Sequence, residues 1–226
     1  MQFAMNFEPF LSFDNAVFQW IGRVFSPGAS AALDWFFNFV TMLGNSGWFF
    51  IALAVLFLLP NKTRKIGVIM AFALILELLI VNLTMKPLFA RPRPYDLDIA
   101  WWIQAYQAVF PGGALAKHLP GDMSFPSGHA AVSFAGALAW CFGSRRKWVG
   151  KARWVSYIGV AAAVLIGFSR LYLGVHYATD VLFGAVTGAL CALLAVLLFK
   201  CIERGFEKID GPWSRFNEVH LPKVFW

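Results

Sequence analysis

Charge is scarce in this chain. Only 14% of its 226 residues are Asp, Glu, Lys or Arg, and 59% are hydrophobic. A soluble domain carries about 25% charged residues, so the shortage argues against an ordinary water-soluble globule. Cysteine is nearly absent. Cys141, Cys191 and Cys201 are odd in number and lie in or beside apolar runs, so they imply no disulfide framework. The few carboxylates form no cluster of metal-ligand type, and neither a metal nor any other cofactor is expected. Internal repeats and low-complexity tracts are lacking. The first twenty residues have no basic stretch and no small-residue cleavage site, so no removable signal peptide is expected and the apolar runs themselves direct insertion.

What is present is a series of apolar runs separated by short basic loops, with a mean hydropathy of +0.64. That pattern predicts an all-α, polytopic membrane helix bundle. Basic loops beside membrane spans account for the net charge of +7 without nucleic acid. Three stretches are expected: an interfacial segment over 1–30, a membrane domain over 31–200 and a cytoplasmic tail over 201–226. Residues 14–24 read as a short surface helix. Ser30 is a candidate N-cap for a helix over about 31–43. There Asp34, Asn38, Thr41 and Asn45 form a polar stripe opposite Leu33, Phe36, Phe37, Val40 and Leu43, so this helix is expected to lie at the interface. Five spans follow, from Trp48 to Leu59 with some preceding residues, over 66–85, 127–142, 154–172 and 180–199. Gly184 and Gly188 give the fifth span a GxxxG spacing suited to close packing.

Basic residues set the expected orientation. The 60–65 turn, the 144–153 loop and residues 200–226 hold thirteen of the nineteen Lys and Arg, and all three fall on one side of a five-span bundle. The positive-inside rule places them in the cytoplasm. The loop 86–126 and the stretch Ser169 to Asp180 then face outward, which in a bacterial inner membrane is the periplasmic side.

Those outer segments carry the chemistry. Lys86 is followed by Arg93-Pro94, then comes Pro126-Ser127-Gly128-His129, then Ser169-Arg170, His176 and Asp180. Each group lies at the outer end of a span, so the bundle gathers three cations, two imidazoles and a carboxylate. Arg offers bidentate donors to phosphate oxygens and Lys a point charge. Ser127 and Gly128 open a helix whose free amides face an anion. His176 and Asp180 are four apart and share a helical face, so the carboxylate can fix the imidazole tautomer.

These spacings resemble the type 2 phosphatidic acid phosphatase superfamily, whose signature reads KxxxxxxRP, PSGH and SRxxxxxHxxxD. All eleven specified positions are met here in order, over a resemblance spanning residues 30–200. Arg91-Pro92 also precedes Arg93-Pro94, but the six-residue spacing selects Arg93, with Arg91 assisting. The resemblance implies a six-helix core and a set of roles. His176 attacks phosphorus, Asp180 holds its tautomer, and His129 protonates the leaving oxygen and then activates water. Lys86, Arg93, Arg170, Ser127 and the Gly128 amide hold the phosphoryl oxygens, with Ser169 in support. The implied substrate is a lipid phosphate or diphosphate, such as undecaprenyl diphosphate, phosphatidylglycerophosphate or phosphatidic acid. A phosphotransferase using the same phosphohistidine and a lipid-phosphate transporter are the competing readings. The missing repeat and the one-sided cluster argue against a transporter.

Other polar residues have plainer readings. Glu77 stands nine residues before Lys86, half a turn round an α-helix, so it is expected to face away, protonated or paired. Asn82 shares the Lys86 face and could orient it. Lys117 and His118 stand in the outer loop, either meeting a head group or simply solvated. His220, in the tail, is given no role. Trp101, Trp102, Tyr106 and Phe110 mark a short helix over 97–110 that either anchors the loop at the interface or covers a lipid entrance.

Overall fold

A computed structural model describes residues 7–144 and 152–207. The chain forms helices α1 (Glu8–Phe25), α2 (Ala31–Gly44), α3 (Trp48–Leu58), α4 (Arg64–Glu77), α5 (Lys86–Phe89), α6 (Ala100–Val109), α7 (Gly128–Gly143), α8 (Ala152–Tyr172) and α9 (Ala178–Glu207). A 3₁₀ turn, Asn45–Gly47, joins α2 to α3, and a π-helical stretch, Leu78–Met85, joins α4 to α5 without a break. Among the described residues every regular element is helical. The basic residues of 145–151, the tail from 208 and His220 lie outside the described residues.

Four segments are long and apolar enough to cross a membrane: Ala31–Leu58, Arg64–Phe89, Trp154–Tyr172 and Ala178–Gly205. The chain is a multi-pass membrane protein. Apolar side chains such as Leu56, Ile158 and Val186 are exposed on their outer faces, as a bilayer solvent allows. The remaining expected span, α7, has 16 residues and runs through the centre of the bundle. At 1.5 Å per residue it is about 24 Å long, shorter than the ~30 Å hydrocarbon core. Its Ala130, Ala131, Ala135, Ala137 and Ala139 are buried against α4, α8 and α9.

Small residues let these helices approach closely. A Cβ at Gly184 would stand 2.5 Å from the Ser127 carbonyl oxygen, and one at Gly188 would stand 2.2 Å from that of Ala131. Both obstacles are backbone and cannot swing aside. Gly188→Ala is therefore expected to lower stability by roughly 1–3 kcal/mol through overpacking. Gly205→Ala, with open space around it, should be neutral or slightly stabilising. Thermal unfolding in detergent checks both, and equal melting temperatures for Gly188→Ala and the parent chain would contradict the packing argument.

The helix over 31–44 forms as expected, capped by Ser30, whose hydroxyl accepts from the Leu33 amide at 3.4 Å. Its polar stripe, however, points into the bundle. The Tyr172 hydroxyl donates to Asp34 at 2.7 Å, and Arg170 donates to the Thr41 hydroxyl at 2.6 Å. Trp35, Phe39 and Met42 are exposed on the other side. Periodicity shows that a helix has two faces but not which medium meets the polar one. Here a buried site takes that face, so an interfacial placement is replaced by a segment, α2 and α3 joined through a kink at Ser46 and Gly47, long and apolar enough to span.

The N-terminal helix is longer than the one read over 14–24, and it is not a surface helix. Asp14, Phe18 and Ile21 are buried. Trp102, Tyr106 and Phe110 of the 86–126 loop pack on Phe18, and the Tyr106 hydroxyl donates to the Gly174 carbonyl at 2.8 Å. Gly174, at φ 71°, supplies the left-handed residue in the turn between α8 and α9. These aromatics clamp the loop to the bundle. None of them lines the cavity described below, and these contacts anchor the loop.

Candidate active site

The ends of four helices and the turn between the last two meet at one end of the bundle. Lys86 opens α5, Gly128 opens α7, Arg170 lies in the last turn of α8, His176 in the turn after it, and Asp180 in the first turn of α9. Lys65, beside the opposite turn, pairs with Glu203 near the far end of α9. The charged motifs and the 60–65 turn are thus at opposite ends.

His176 is 1% exposed and held from both sides. An Arg93 guanidinium nitrogen, Nη1, stands 3.1 Å from His176 Nε2, and Asp180 Oδ2 stands 3.3 Å from His176 Nδ1. Arginine has only donors, so Nε2 must present its lone pair and Nδ1 must carry the proton, which it donates to Asp180. Burial, reinforced by Arg93, Arg170 and Lys86, drives the His176 pKa well below the ordinary imidazole value. The neutral ring is favoured, with the Nε2 lone pair accepting from Arg93.

Asp180 is fully buried and saturated. Its Oδ2 also accepts from Ser124 Oγ and, at 3.0 Å, from the Tyr177 amide, while Oδ1 accepts from Arg91 Nη1 at 2.6 Å. Arg91 continues to Asp14, donating from Nη2 at 2.8 Å, and Asp14 also accepts from the Thr179 amide at 2.8 Å. A carboxylate of the first helix is thus tied through Arg91 to the carboxylate behind His176. The assisting role given to Arg91 takes this form: it braces Asp180 from behind and does not line the cavity.

A cavity of about 770 Å³ opens on Lys86, Arg93, Gly128, His129, Arg170 and His176. Gly128 lies against the cation, since a Cβ there would be 3.4 Å from Lys86 Nζ. Arg170 is 3% exposed, and its Nε and Nη2 have no partner. Arg170 lines the cavity, and unpaired buried guanidinium donors are costly unless an anion receives them. His129 Nε2 lies 2.8 Å from Asn45 Oδ1. Ser127 and Ser169 stand back from the cavity. Ser127 caps α7, accepting from the Ala130 amide at 3.5 Å, and its own amide donates to the Asp180 carbonyl. Ser169 donates to Ile166 within its own helix at 2.6 Å.

Sequence reading missed Asp122, whose carboxylate bridges Lys86 and Arg93. Burial would raise its pKa, but Lys86 and Arg93 outweigh this and hold it at about 2. It also missed Asn45 as the partner of His129, and Asp14. The only signal for Asn45 was its place in the polar stripe of α2. Glu77 does not face away. It lines the same cavity as Lys86 and accepts from Asn82 at 3.2 Å. The π-helical stretch between them holds more residues per turn than an α-helix, which cancels the half-turn offset. Asn82 turns to Glu77, so its bond is not the one expected with Lys86. Lys117 and His118 do not line the cavity.

The sequence pattern of the PAP2 superfamily matches residues 62–203. The putative undecaprenyl-diphosphatase YbjG of Escherichia coli is 33% identical over 165 residues, covering 72% of this chain and 73% of that protein. An undecaprenyl-diphosphatase of Sulfolobus acidocaldarius is 27% identical over 166 residues, covering 74% and 70% respectively. The crystal structure of a transmembrane PAP2-type phosphatidylglycerolphosphate phosphatase from Bacillus subtilis has the same fold. Its TM-score is 0.64 at 23% identity, over 92% of this chain and 91% of that one.

Proposed function

The chain belongs to the PAP2 superfamily, and on that premise we propose that it is a membrane lipid phosphatase acting through a phosphohistidine at His176. The observation that carries the mechanism is the pair of contacts on one ring: Arg93 leaves His176 Nε2 with its lone pair, and Asp180 takes the proton on Nδ1. Nε2 attacks phosphorus, the bond to the leaving oxygen breaks (the ester oxygen of a monophosphate, the bridging oxygen of a diphosphate), and His129 supplies the proton that this oxygen needs. Water, losing its proton to His129, then attacks the phosphohistidine. The P–N bond breaks and inorganic phosphate is released. Lys86, Arg93, Arg170 and the Gly128 amide receive the phosphoryl oxygens. Ser127 and Asp180 shape the site from behind, and Ser169 supports the end of α8.

Phosphoryl transfer asks mainly for positioning and charge stabilisation. Three fixed cations supply here what magnesium supplies in many kinases and nucleotidases, so the reaction is metal-independent. The cavity continues away from the cations between α3 and α4, along Ile51, Ala54, Val55, Ala71, Leu74 and Ile75. That apolar extension fits a hydrocarbon chain whose phosphate lies among the cations. The named activity of two relatives makes undecaprenyl diphosphate the first candidate, with phosphatidylglycerophosphate and phosphatidic acid next. The site faces outward from a bacterial inner membrane, and the C-terminus lies in the cytoplasm.

Phosphate release from these three lipids by purified protein tests the reading. Release should persist in excess EDTA and stop with vanadate, which takes the geometry of the transition state. A strict requirement for added magnesium would overturn the three-cation argument. Transfer of the phosphoryl group to a second lipid in place of water would make the chain a phosphotransferase.

A further inference from the structure

The catalytic scheme leaves Asp122 unused. Its carboxylate takes both cations of the first motif, with Lys86 Nζ on one oxygen and Arg93 Nη2 at 2.6 Å on the other. A phosphoryl group entering the cavity needs those same donors. We propose that Asp122 is an internal competitor for the phosphate site: its carboxylate holds Lys86 and Arg93 when no phosphoryl group is bound, turns out into water when one enters, and returns to displace the inorganic phosphate that hydrolysis leaves. The proposal rests on the phosphatase reading above.

The position of Asp122 suits exchange. Its side chain is 52% exposed, against 11% for Lys86 and 3% for Arg93. The carboxylate therefore stands at the mouth and can reach solvent, while its two partners cannot. The backbone need not move with it. Arg93 Nε donates to the Asp122 carbonyl at 2.9 Å, and the Ser124 amide donates to the Arg91 carbonyl at 2.9 Å. Rotation of one short side chain frees both cations.

The donors also explain why a phosphoryl group wins. A carboxylate has two oxygens, and both are used on Lys86 and Arg93. Arg170 lines the same cavity and keeps Nε and Nη2 without a partner. A phosphoryl group has a third oxygen to offer it. Lys86, Arg93 and Arg170 together outnumber the single charge of Asp122, so the surplus favours an incoming dianion. The same surplus would hold inorganic phosphate after hydrolysis. A tethered carboxylate returning to two of the three cations discharges it. Asp122 is ionised throughout the physiological range, so the competitor keeps its charge there.

Competition and a fixed neighbouring charge predict different numbers. A ligand that must first displace Asp122 is weakened by the fraction of molecules whose site is free, and that fraction is the same for every ligand. A fixed negative neighbour instead weakens a dianion about twice as much, in free energy, as a monoanion. The experiment measures inhibition constants for inorganic phosphate, at a pH where it is a dianion, and for dimethyl phosphate, a monoanion. It uses the full-length protein, Asp122→Asn and Asp122→Ala in detergent, with phosphate release from a lipid phosphate as the readout. Both constants should fall by about tenfold or more, and by the same factor, in both variants. Unchanged constants would overturn the proposal, and so would a gain for phosphate near the square of the gain for dimethyl phosphate. If the full-length protein hydrolyses the lipid yet phosphate inhibits neither it nor the variants, the competitor idea fails while the phosphatase reading stands. If the lipid is not hydrolysed and neither anion binds to any of the three in calorimetry, the phosphate site itself fails and the competitor with it.

Discussion

His176→Ala is expected to abolish turnover, whereas His129→Ala is expected to slow it by roughly 10²–10⁴-fold, the usual scale of general acid–base catalysis. The asymmetry follows from where each ring stands. His176 is the base held from both sides, its Nε2 lone pair on Arg93 and its Nδ1 proton on Asp180. His129 lines the cavity with its Nε2 on Asn45, a position from which it handles protons. A substrate with a good leaving group needs no proton at that step. It should therefore still phosphorylate His176 in His129→Ala, and the phosphoenzyme should build up because water is no longer activated. Asp180→Asn keeps the shape behind His176 but offers an amide that can turn its NH₂ toward Nδ1, favouring the wrong tautomer. Its chemical step should slow with little change in lipid affinity. The pre-steady-state burst on an activated ester separates these cases, since His129→Ala should keep it and His176→Ala should lose it. Loss of the burst in both variants would count against the division of roles.

Asp14→Ala is expected to cost about 3–5 kcal/mol of stability, the range for removing one partner of a buried ion pair. Asp14 is 0% exposed and Arg91 2%. Without Asp14, a buried guanidinium loses one of its two carboxylates, and the Thr179 amide and hydroxyl lose their acceptor. Asp14→Asn should cost less, since an amide oxygen can still accept from Thr179. The loss should reach catalysis as well. Arg91 also holds Asp180 and stacks on the Tyr177 ring at 3.7 Å, so kcat should fall more than KM rises. Thermal unfolding in detergent, with kinetics below the melting range, measures both. A parent-like melting temperature for Asp14→Ala would contradict the brace.

Most of the site was legible because its motifs are local. His176 and Asp180 are four apart, and Ser127, Gly128 and His129 are consecutive, so backbone periodicity alone places them together. Arg91 stood one dipeptide from the expected Arg93, and the chain uses both, one in the cavity and one behind Asp180. Asp14 and Asn45 were not legible as site residues. Their partners lie 77 and 84 positions away, and nothing local distinguishes a carboxylate that meets a buried arginine from one that meets water. Asp122 was hidden differently, as one polar residue in a loop of turn formers.

The fold was legible in its helices and less so in their surroundings. The apolar runs gave the spans, and the GxxxG of α9 packs where small residues were expected to let helices approach. The polar stripe of α2 was legible as a stripe, but its partners, Arg170 and Tyr172, are defined only by packing against α8. Glu77 shows the limit of angular bookkeeping. A π-helical stretch is invisible to a 3.6-residue count, and it brings into the cavity a side chain that the count sends to the far side.

The central claim is that the phosphoryl group passes through His176. Rapid base-quench of the protein with a labelled activated phosphate ester, followed by peptide mapping at alkaline pH, tests it directly. The label should appear on a peptide containing His176, be absent in His176→Ala, and accumulate in His129→Ala. Label that survives in His176→Ala and vanishes in His129→Ala would show that the two histidines have the opposite roles.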